Sequence, residues 1–148
     1  MKIKTLLCFD YGSKRIGTAV GQAITGTATP LNTINCYHNK PDWASIEKLI
    51  HEWLPDAIIV GIPLNMDGSS QAITEAAAKF ARQVEGRFNL PVFGMDERLS
   101  TFEAKKRSGL DTNIDSIAAQ AILETWLADH KNKLKNPESM LQQNEKTD

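Results

Sequence analysis

The spacing of apolar and polar residues near the amino terminus predicts three short β-strands in succession. Leu6–Phe9 is a continuous apolar run, typical of a strand buried on both faces, and it stops at Asp10. Arg15–Gly21 alternates between its two faces, and the short link before it predicts an antiparallel hairpin. Thr27–Tyr37 is a third β-like stretch. Pro30 within that stretch places it at the edge of the sheet.

The pattern then changes to helical spacing, interrupted by two short apolar runs. Capping residues and prolines mark where these elements begin and end. In chain order we predict a helix capped at Asp42 and ended by Pro55, a buried strand at Ala57–Val60, a helix over Ser70–Arg87, a strand at Pro91–Met95, a short helix opened by the Ser100–Glu103 capping box, and a last helix from Asn113.

These elements predict one α/β domain over residues 1–131. Strand–helix–strand crossovers place parallel strands side by side and are right-handed. We therefore expect a mixed five-stranded sheet in the order 3-2-1-4-5, with the second strand antiparallel and helices on both faces. Residues 132–148 are polar and aperiodic and contain Pro137, so we expect a flexible C-terminal tail.

Composition limits the possible partners. The chain has 148 residues and a formal net charge of −1, so nucleic acid would have to be bound by a local basic patch. The two cysteines, Cys8 and Cys36, form neither a disulfide framework nor a zinc motif. The first apolar run is too short for a signal sequence, and none reaches transmembrane length. We expect a cytoplasmic protein with no membrane partner.

Three carboxylates occupy matching positions in the predicted elements. Asp10 ends the first strand, Glu97 ends the last strand, and Asp115 lies in the first turn of the final helix. Because the carboxyl ends of parallel strands meet at one edge, we expect these acids to share a site. Clustered carboxylates repel one another unless cations neutralise them, and Mg²⁺ or Mn²⁺ prefers such oxygen ligands. Two such ions can clamp both oxygens of a phosphodiester displacement.

Each acid also has a simpler interpretation. Asp10 could merely begin a turn before glycine, and Asp115 could merely complement the dipole of its helix. We interpret Asp96 as a solvated strand end and Asp67 as a turn residue before the second long helix. A metal site is therefore predicted only by the three acids together.

Basic residues near these acids are candidates for binding a phosphate backbone. Lys14 and Arg15 follow Asp10 closely, whereas Arg98 could reach a phosphate or simply pair with Asp96. A later basic run could be a further contact or a solvated helix face. A glycine after Asp10 would let a phosphate approach closely. The candidate nucleic-acid contacts are Gly12, Lys14, Arg15, Arg98, Lys105, Lys106 and Arg107.

Four motifs resemble those of the YqgF family, whose members are also named Holliday junction resolvases. They are Asp10–Gly17, Gly61–Ser69, Asp96–Thr101 and Asp115–Ala119, and together they cover about residues 1–130. The resemblance implies an RNase H-like fold and Asp10, Glu97 and Asp115 as catalytic acids, the same residues that we expect to bind Mg²⁺ or Mn²⁺ as cofactor. One feature departs from the family: the link Ser108–Asn113 is short and lacks the lysine that members commonly carry there.

The resemblance implies a metal-dependent nuclease. Bacterial members are implicated in maturing the 5′ side of the small-subunit (16S) ribosomal RNA precursor, so precursor rRNA, in association with the ribosome, is the expected partner. The runner-up is cleavage of Holliday junctions in branched DNA, which would need a dimer with two cutting sites. A monomer or a homodimer therefore stays open.

Two other classes share features of this sequence. Sugar kinases and actin-like ATPases also place an acid and a glycine after a first strand, but they need a second lobe that 148 residues cannot supply. A non-catalytic RNA- or ribosome-binding module with a vestigial acid cluster is the other alternative.

Overall fold

The first apolar run forms the central strand of the sheet in the computed structural model, which describes residues 2–99 and 114–131. Strand β1 (Thr5–Asp10) pairs antiparallel with β2 (Arg15–Gln22) and parallel with β6 (Ala57–Ile62). Strand β6 pairs in parallel with β7 (Val92–Asp96). The predicted order around the central strand is confirmed, and so is the antiparallel second strand.

The prediction of a single third strand, and with it the count of five, is wrong. The sheet has seven strands, because the third stretch is divided into β3 (Thr27–Pro30) and β4 (Ile34–Tyr37) and is followed by β5 (Lys40–Pro41). Both β3 and β4 pair with β2, at different parts of its length. The division follows Pro30, which has no N–H to continue the ladder.

Three α-helices within the described residues cover the sheet. They are α1 (Trp43–Trp53), α2 (Ala72–Phe88) and α3 (Ile114–Asp129). The predicted cap at Asp42 is confirmed, since its carboxylate accepts hydrogen bonds from the backbone N–H and the hydroxyl of Ser45. The short helix predicted from Ser100, the Lys105–Arg107 run and the C-terminal tail all lie outside the described residues.

The two faces of the sheet have separate cores. Leu7 and Phe9 point toward α1 and α2, whereas Leu6 and Cys8 point toward α3. Because side chains alternate along a strand, Asp10 belongs to the α3 face. Within residues 2–99 and 114–131, no helix combines the length and the hydrophobicity needed to span a bilayer.

Candidate active site

Asp10 lies between two glycines in one row of the sheet. Its antiparallel partner is Gly17 on β2, and its parallel partner is Gly61 on β6. Side chains of register partners point to the same face, so the α3 face carries no side chain on either side of Asp10. These two spaces are occupied by groups from the other two candidate acids, Asp115 and Glu97.

The space over Gly17 is filled by the backbone of Asp115. A Cβ atom added to Gly17 would lie 1.9 Å from the Asp115 carbonyl oxygen, so the first turn of α3 rests directly on β2. Glycine at this position is a condition for that approach. The close contact explains how an acid from the last helix reaches the end of the first strand.

The space over Gly61 is filled by the side chains of Glu97 and Ile122. A Cβ atom on Gly61 would lie 2.8 Å from Glu97 Oε1. The prediction that Glu97 ends the last strand is wrong by one residue, because β7 ends at Asp96 and Glu97 begins the 3₁₀ turn Glu97–Leu99. Phe93 and Met95 already point toward α3. Glu97 continues that alternation and reaches the face that carries Asp10.

The pKa of the Cys8 thiol is affected by burial and by the negative charges of Asp10 and Glu97. Burial raises the pKa of Cys8 well above its ordinary value, and the nearby charges of Asp10 and Glu97 raise it further. The thiol therefore stays protonated at neutral pH, which makes it a poor metal ligand. Both Asp10 and Glu97 therefore act electrostatically on the same buried thiol.

The third acid is paired with one of the predicted phosphate-binding residues. Arg15 Nε donates to Asp115 Oδ2 at 2.9 Å, and both side chains are partly exposed. Within the described residues, no group of three or more His, Cys, Asp or Glu side chains is arranged to hold a metal ion. The sheet thus brings Asp10 and Glu97 together, whereas the carboxylate of Asp115 is directed to Arg15.

The donor set nevertheless suits a hard divalent cation. The three acids supply only carboxylate oxygens, which are the ligands that Mg²⁺ and Mn²⁺ prefer. They lie on one face at the carboxyl edge of the parallel strands, where ligands bind in open α/β sheets. An exposed ion pair contributes little to stability, so Asp115 can exchange Arg15 for another cation at small cost.

Gly12 has a structural role in the β1–β2 turn. A Cβ atom there would lie 2.6 Å from the carbonyl oxygen of Arg15, so the turn itself requires a residue without a side chain. Lys14, in the same turn, is exposed, and its carbonyl oxygen accepts the backbone N–H of Cys36 at 2.9 Å. Lys105, Lys106 and Arg107 are outside the described residues.

Arg98 forms an ion pair with Asp96, which is the second of the two roles considered for it from the sequence. Its Nη2 lies 2.6 Å from Asp96 Oδ2, and its Nη1 donates to the Met66 carbonyl at 3.2 Å. Hydrogen bonding to Arg98 lowers the pKa of Asp96, and the same bond raises the pKa of Arg98. Asp67 is a turn residue, as predicted, because its carboxylate accepts the N–H and hydroxyl of Ser69.

Sequence reasoning missed Gly17, Gly61 and Ser116. The two glycines lie inside strand patterns, which was a usable signal for a close backbone approach. Ser116 is fully buried beside Asp115, and its hydroxyl accepts the N–H of Thr18 at 3.1 Å. That bond fixes the start of α3 on β2, and nothing in the helical periodicity indicates it.

Similarity to solved structures defines the class first: the fold is that of the RNase H-like resolvases. The chain is similar to the RuvC of Thermus thermophilus in complex with a Holliday junction substrate, with a TM-score of 0.55 and 14% identity over 86% of this chain and 95% of the other. It is also similar to the fowlpox virus Holliday junction resolvase, with a TM-score of 0.54 and 14% identity over 84% and 99%. At this identity the likeness concerns the fold alone.

Sequence similarity then gives the family. Residues 4–129 match the family described as "RuvX: Holliday junction resolvase", and the chain belongs to it. A relative from Pseudomonas putida named "Putative pre-16S rRNA nuclease" is 54% identical, covering 84% of this chain and 95% of the relative. One of the same name from Pseudomonas paraeruginosa is 51% identical, covering 88% and 96%.

Proposed function

We propose that this protein is a metal-dependent nuclease that hydrolyses phosphodiester bonds during 5′ maturation of the 16S ribosomal RNA precursor. The observation that carries the proposal is the row Gly17–Asp10–Gly61, over which the groups of Asp115 and Glu97 lie. A cytoplasmic location follows from that substrate. The substrate itself is taken from the names of relatives at 54% and 51% identity.

Asp10, Glu97 and Asp115 would hold Mg²⁺ or Mn²⁺. The bound cation supplies a Lewis acid that neutralises charge developing on the phosphate. Arg15, which begins β2 and pairs with Asp115, and Lys14, in the turn before it, can bind the flanking phosphates. Arg15 has two possible partners, Asp115 and a substrate phosphate, so substrate binding would release Asp115 for the cation.

Cleavage of Holliday junctions is the second candidate. The family description favours it, and two fold neighbours are resolvases of that kind. A junction resolvase needs two cutting sites in one dimer. The two candidates therefore differ in substrate, products and oligomeric state.

The test is a side-by-side nuclease assay with Mg²⁺ on precursor 16S rRNA and on a four-way DNA junction. We expect the protein to cut the RNA precursor on its 5′ side, and Asp10→Asn to lose at least about 10²-fold in rate, because one ligand charge is removed. Asp42→Asn is the matched control. It makes the same change at the N-cap residue of α1 and so tests whether the loss of one negative charge alone has an effect. Equal cleavage by wild type and Asp10→Asn would contradict the proposal.

A non-catalytic RNA-binding module is distinguished by metal binding. The proposal requires that Mn²⁺ bind to the wild type and more weakly to Asp10→Asn. Precursor RNA bound without cleavage, by a protein that takes up no Mn²⁺ at these acids, would favour the binding module instead.

A further inference from the structure

A second surface at the same edge of the sheet is positively charged, and the proposed chemistry does not use it. A groove of about 870 Å³ lies between β5, the start of α1 and one side of α2, and we call it the α2 groove. It begins at Tyr11 and Ser13, directly after Asp10. Its lining includes three cations, Lys40, Lys79 and Arg87, and no carboxylate from the described residues.

None of these three cations forms an ion pair with another described residue. Arg15 and Arg98, by contrast, each form one. A neighbouring groove of about 340 Å³ beside α1 is different, because its one lysine is accompanied by Asp42 and Glu52. In a protein of net charge −1, the α2 groove is thus a local concentration of positive charge that suits phosphate.

The groove also contains a flat cationic surface. The buried Phe80 ring stacks against Trp43, with ring centroids 5.6 Å apart, and the guanidinium of Arg87 lies 4.1 Å from the Trp43 ring centroid. The ring holds the exposed guanidinium in one orientation at the groove wall. Unpaired nucleobases stack on such guanidinium planes, whereas bases in a duplex are already stacked on one another.

The position of Tyr11 connects this groove with the acids. Asp10 points to the α3 face, and Tyr11 points to the other face, where its ring lies 5.1 Å from that of Phe80. A strand whose phosphate lies at Asp10 therefore needs only to cross the edge of the sheet to enter the groove.

We propose that the α2 groove binds the single-stranded segment of the substrate that adjoins the cleaved bond. Lys40 and Lys79 bind its phosphates, and Arg87 stacks on one of its bases. This inference rests on the proposed nuclease function, which identifies the bound strand as substrate, but the inference itself concerns binding. It can therefore be tested without cleavage.

The first test measures fluorescence anisotropy of a labelled single-stranded RNA of twelve nucleotides, with EDTA present so that nothing is cut. Each phosphate contact to a single strand contributes about 0.7 to the salt slope, which is about fivefold in affinity at 0.1 M salt. Lys40→Ala/Lys79→Ala should therefore bind about 25-fold more weakly, with a slope smaller by about 1.4. Lys48→Ala, on the exposed side of α1, is the control and should change neither.

The second test separates stacking from charge. Arg87→Lys keeps the charge and removes the planar group, so it should weaken binding of the RNA while leaving binding of an abasic oligonucleotide of equal length unchanged. Arg82→Lys, also exposed on α2 but outside the groove, should behave as wild type with both. Circular dichroism on all variants confirms that these surface changes leave the fold intact.

The outcomes distinguish the two proposals. Wild-type affinity and salt slope in Lys40→Ala/Lys79→Ala would overturn the groove, even if Asp10→Asn abolishes cleavage and the nuclease proposal stands. An equal loss for blunt duplex RNA would also overturn it, because the effect would then be general attraction to a polyanion. A selective loss for single strands supports the groove, even if the wild type cuts neither test substrate.

Discussion

Single glycines determine how closely the candidate acids approach Asp10. Gly17→Ala would force a methyl group to within 1.9 Å of the Asp115 carbonyl oxygen, so the start of α3 must move. We expect a loss of about 3 kcal/mol in the free energy of unfolding, typical of severe overpacking, together with weaker cleavage. Urea denaturation and the RNA assay would measure both effects.

The matched control is Gly86→Ala. Gly86 is exposed on α2, and a Cβ atom there meets nothing within 4 Å. Alanine at a helical glycine should stabilise by about 0.5–1 kcal/mol. If Gly17→Ala proved as harmless as Gly86→Ala, the close packing of α3 on β2 would be contradicted.

Arg15 is predicted to compete with metal for Asp115. Removal of the guanidinium in Arg15→Ala leaves Asp115 available, so Mn²⁺ should bind more tightly than to wild type. Stability should change by no more than about 1 kcal/mol, because the pair is exposed. Mn²⁺ titration followed by electron paramagnetic resonance would measure the affinity. Weaker Mn²⁺ binding in Arg15→Ala would show that Arg15 does not oppose the metal.

At the scale of elements, side-chain hydrogen bonds add to the apolar packing that holds α3 on the sheet. Ser116→Ala would remove the acceptor for the Thr18 N–H in a fully buried position. An unsatisfied buried donor costs about 1–3 kcal/mol, and we expect that loss in urea denaturation. Thr125→Ala is the control. It removes a hydroxyl that donates a hydrogen bond to the Ala121 carbonyl within the same helix. Similar losses in both variants would mean that the Ser116 bond has no special role.

The loop that carries the second motif is attached to β7 by Arg98. Asp96 has a lowered pKa in the folded protein, so its ion pair stabilises the fold above the ordinary pKa of aspartate and loses that effect as pH falls through the folded value. Stability of the wild type should therefore decline over that acidic range, and Arg98→Gln should decline less. Denaturation at a series of pH values, with Arg82→Gln as control, measures the difference. If the free energy of unfolding depended on pH in the same way for wild type and Arg98→Gln, the Arg98–Asp96 ion pair would not contribute to stability.

The positions of the buried central strands could be predicted from the sequence, whereas the positions of the strands at the edge of the sheet could not. The runs ending at Asp10 and Val60 are buried on both faces, so hydrophobicity alone identified them. The third stretch was misjudged because β-propensity does not show where an edge strand loses its partner. There the Leu31 N–H bonds to the Thr18 carbonyl and the chain leaves the ladder. The meeting of Asp10 and Glu97 followed from topology, but the Arg15–Asp115 pair depended on side-chain geometry that no spacing encodes.

At the scale of the whole molecule, the two faces of the sheet carry opposite charge at one edge. Asp10, Glu97 and Asp115 lie on the α3 side, and the cations of the α2 groove lie on the other. The cations of the α2 groove therefore do not pair with these acids, which agrees with the proposal that the acids hold a divalent metal. The separation also lets a net charge near zero coexist with two strongly charged surfaces.

Metal binding at the proposed site would have a thermodynamic consequence for the whole fold. A cation that binds only the folded state stabilises it by mass action, so metal binding at the proposed site should raise the stability of the fold. At a hundredfold excess over its dissociation constant, Mn²⁺ should contribute about 2.7 kcal/mol and raise the Tm by about 5–10 °C. Asp10→Asn should gain far less stability from Mn²⁺ than the wild type does.

Differential scanning calorimetry with and without Mn²⁺ measures this linkage. Asp129→Asn, which removes an exposed carboxylate from the end of α3, should respond to metal as the wild type does. An equal Tm increase in wild type and Asp10→Asn would place the metal elsewhere on the protein. No increase in either would mean that the acids at this edge do not hold a cation, and the non-catalytic RNA-binding module would then be favoured over the nuclease.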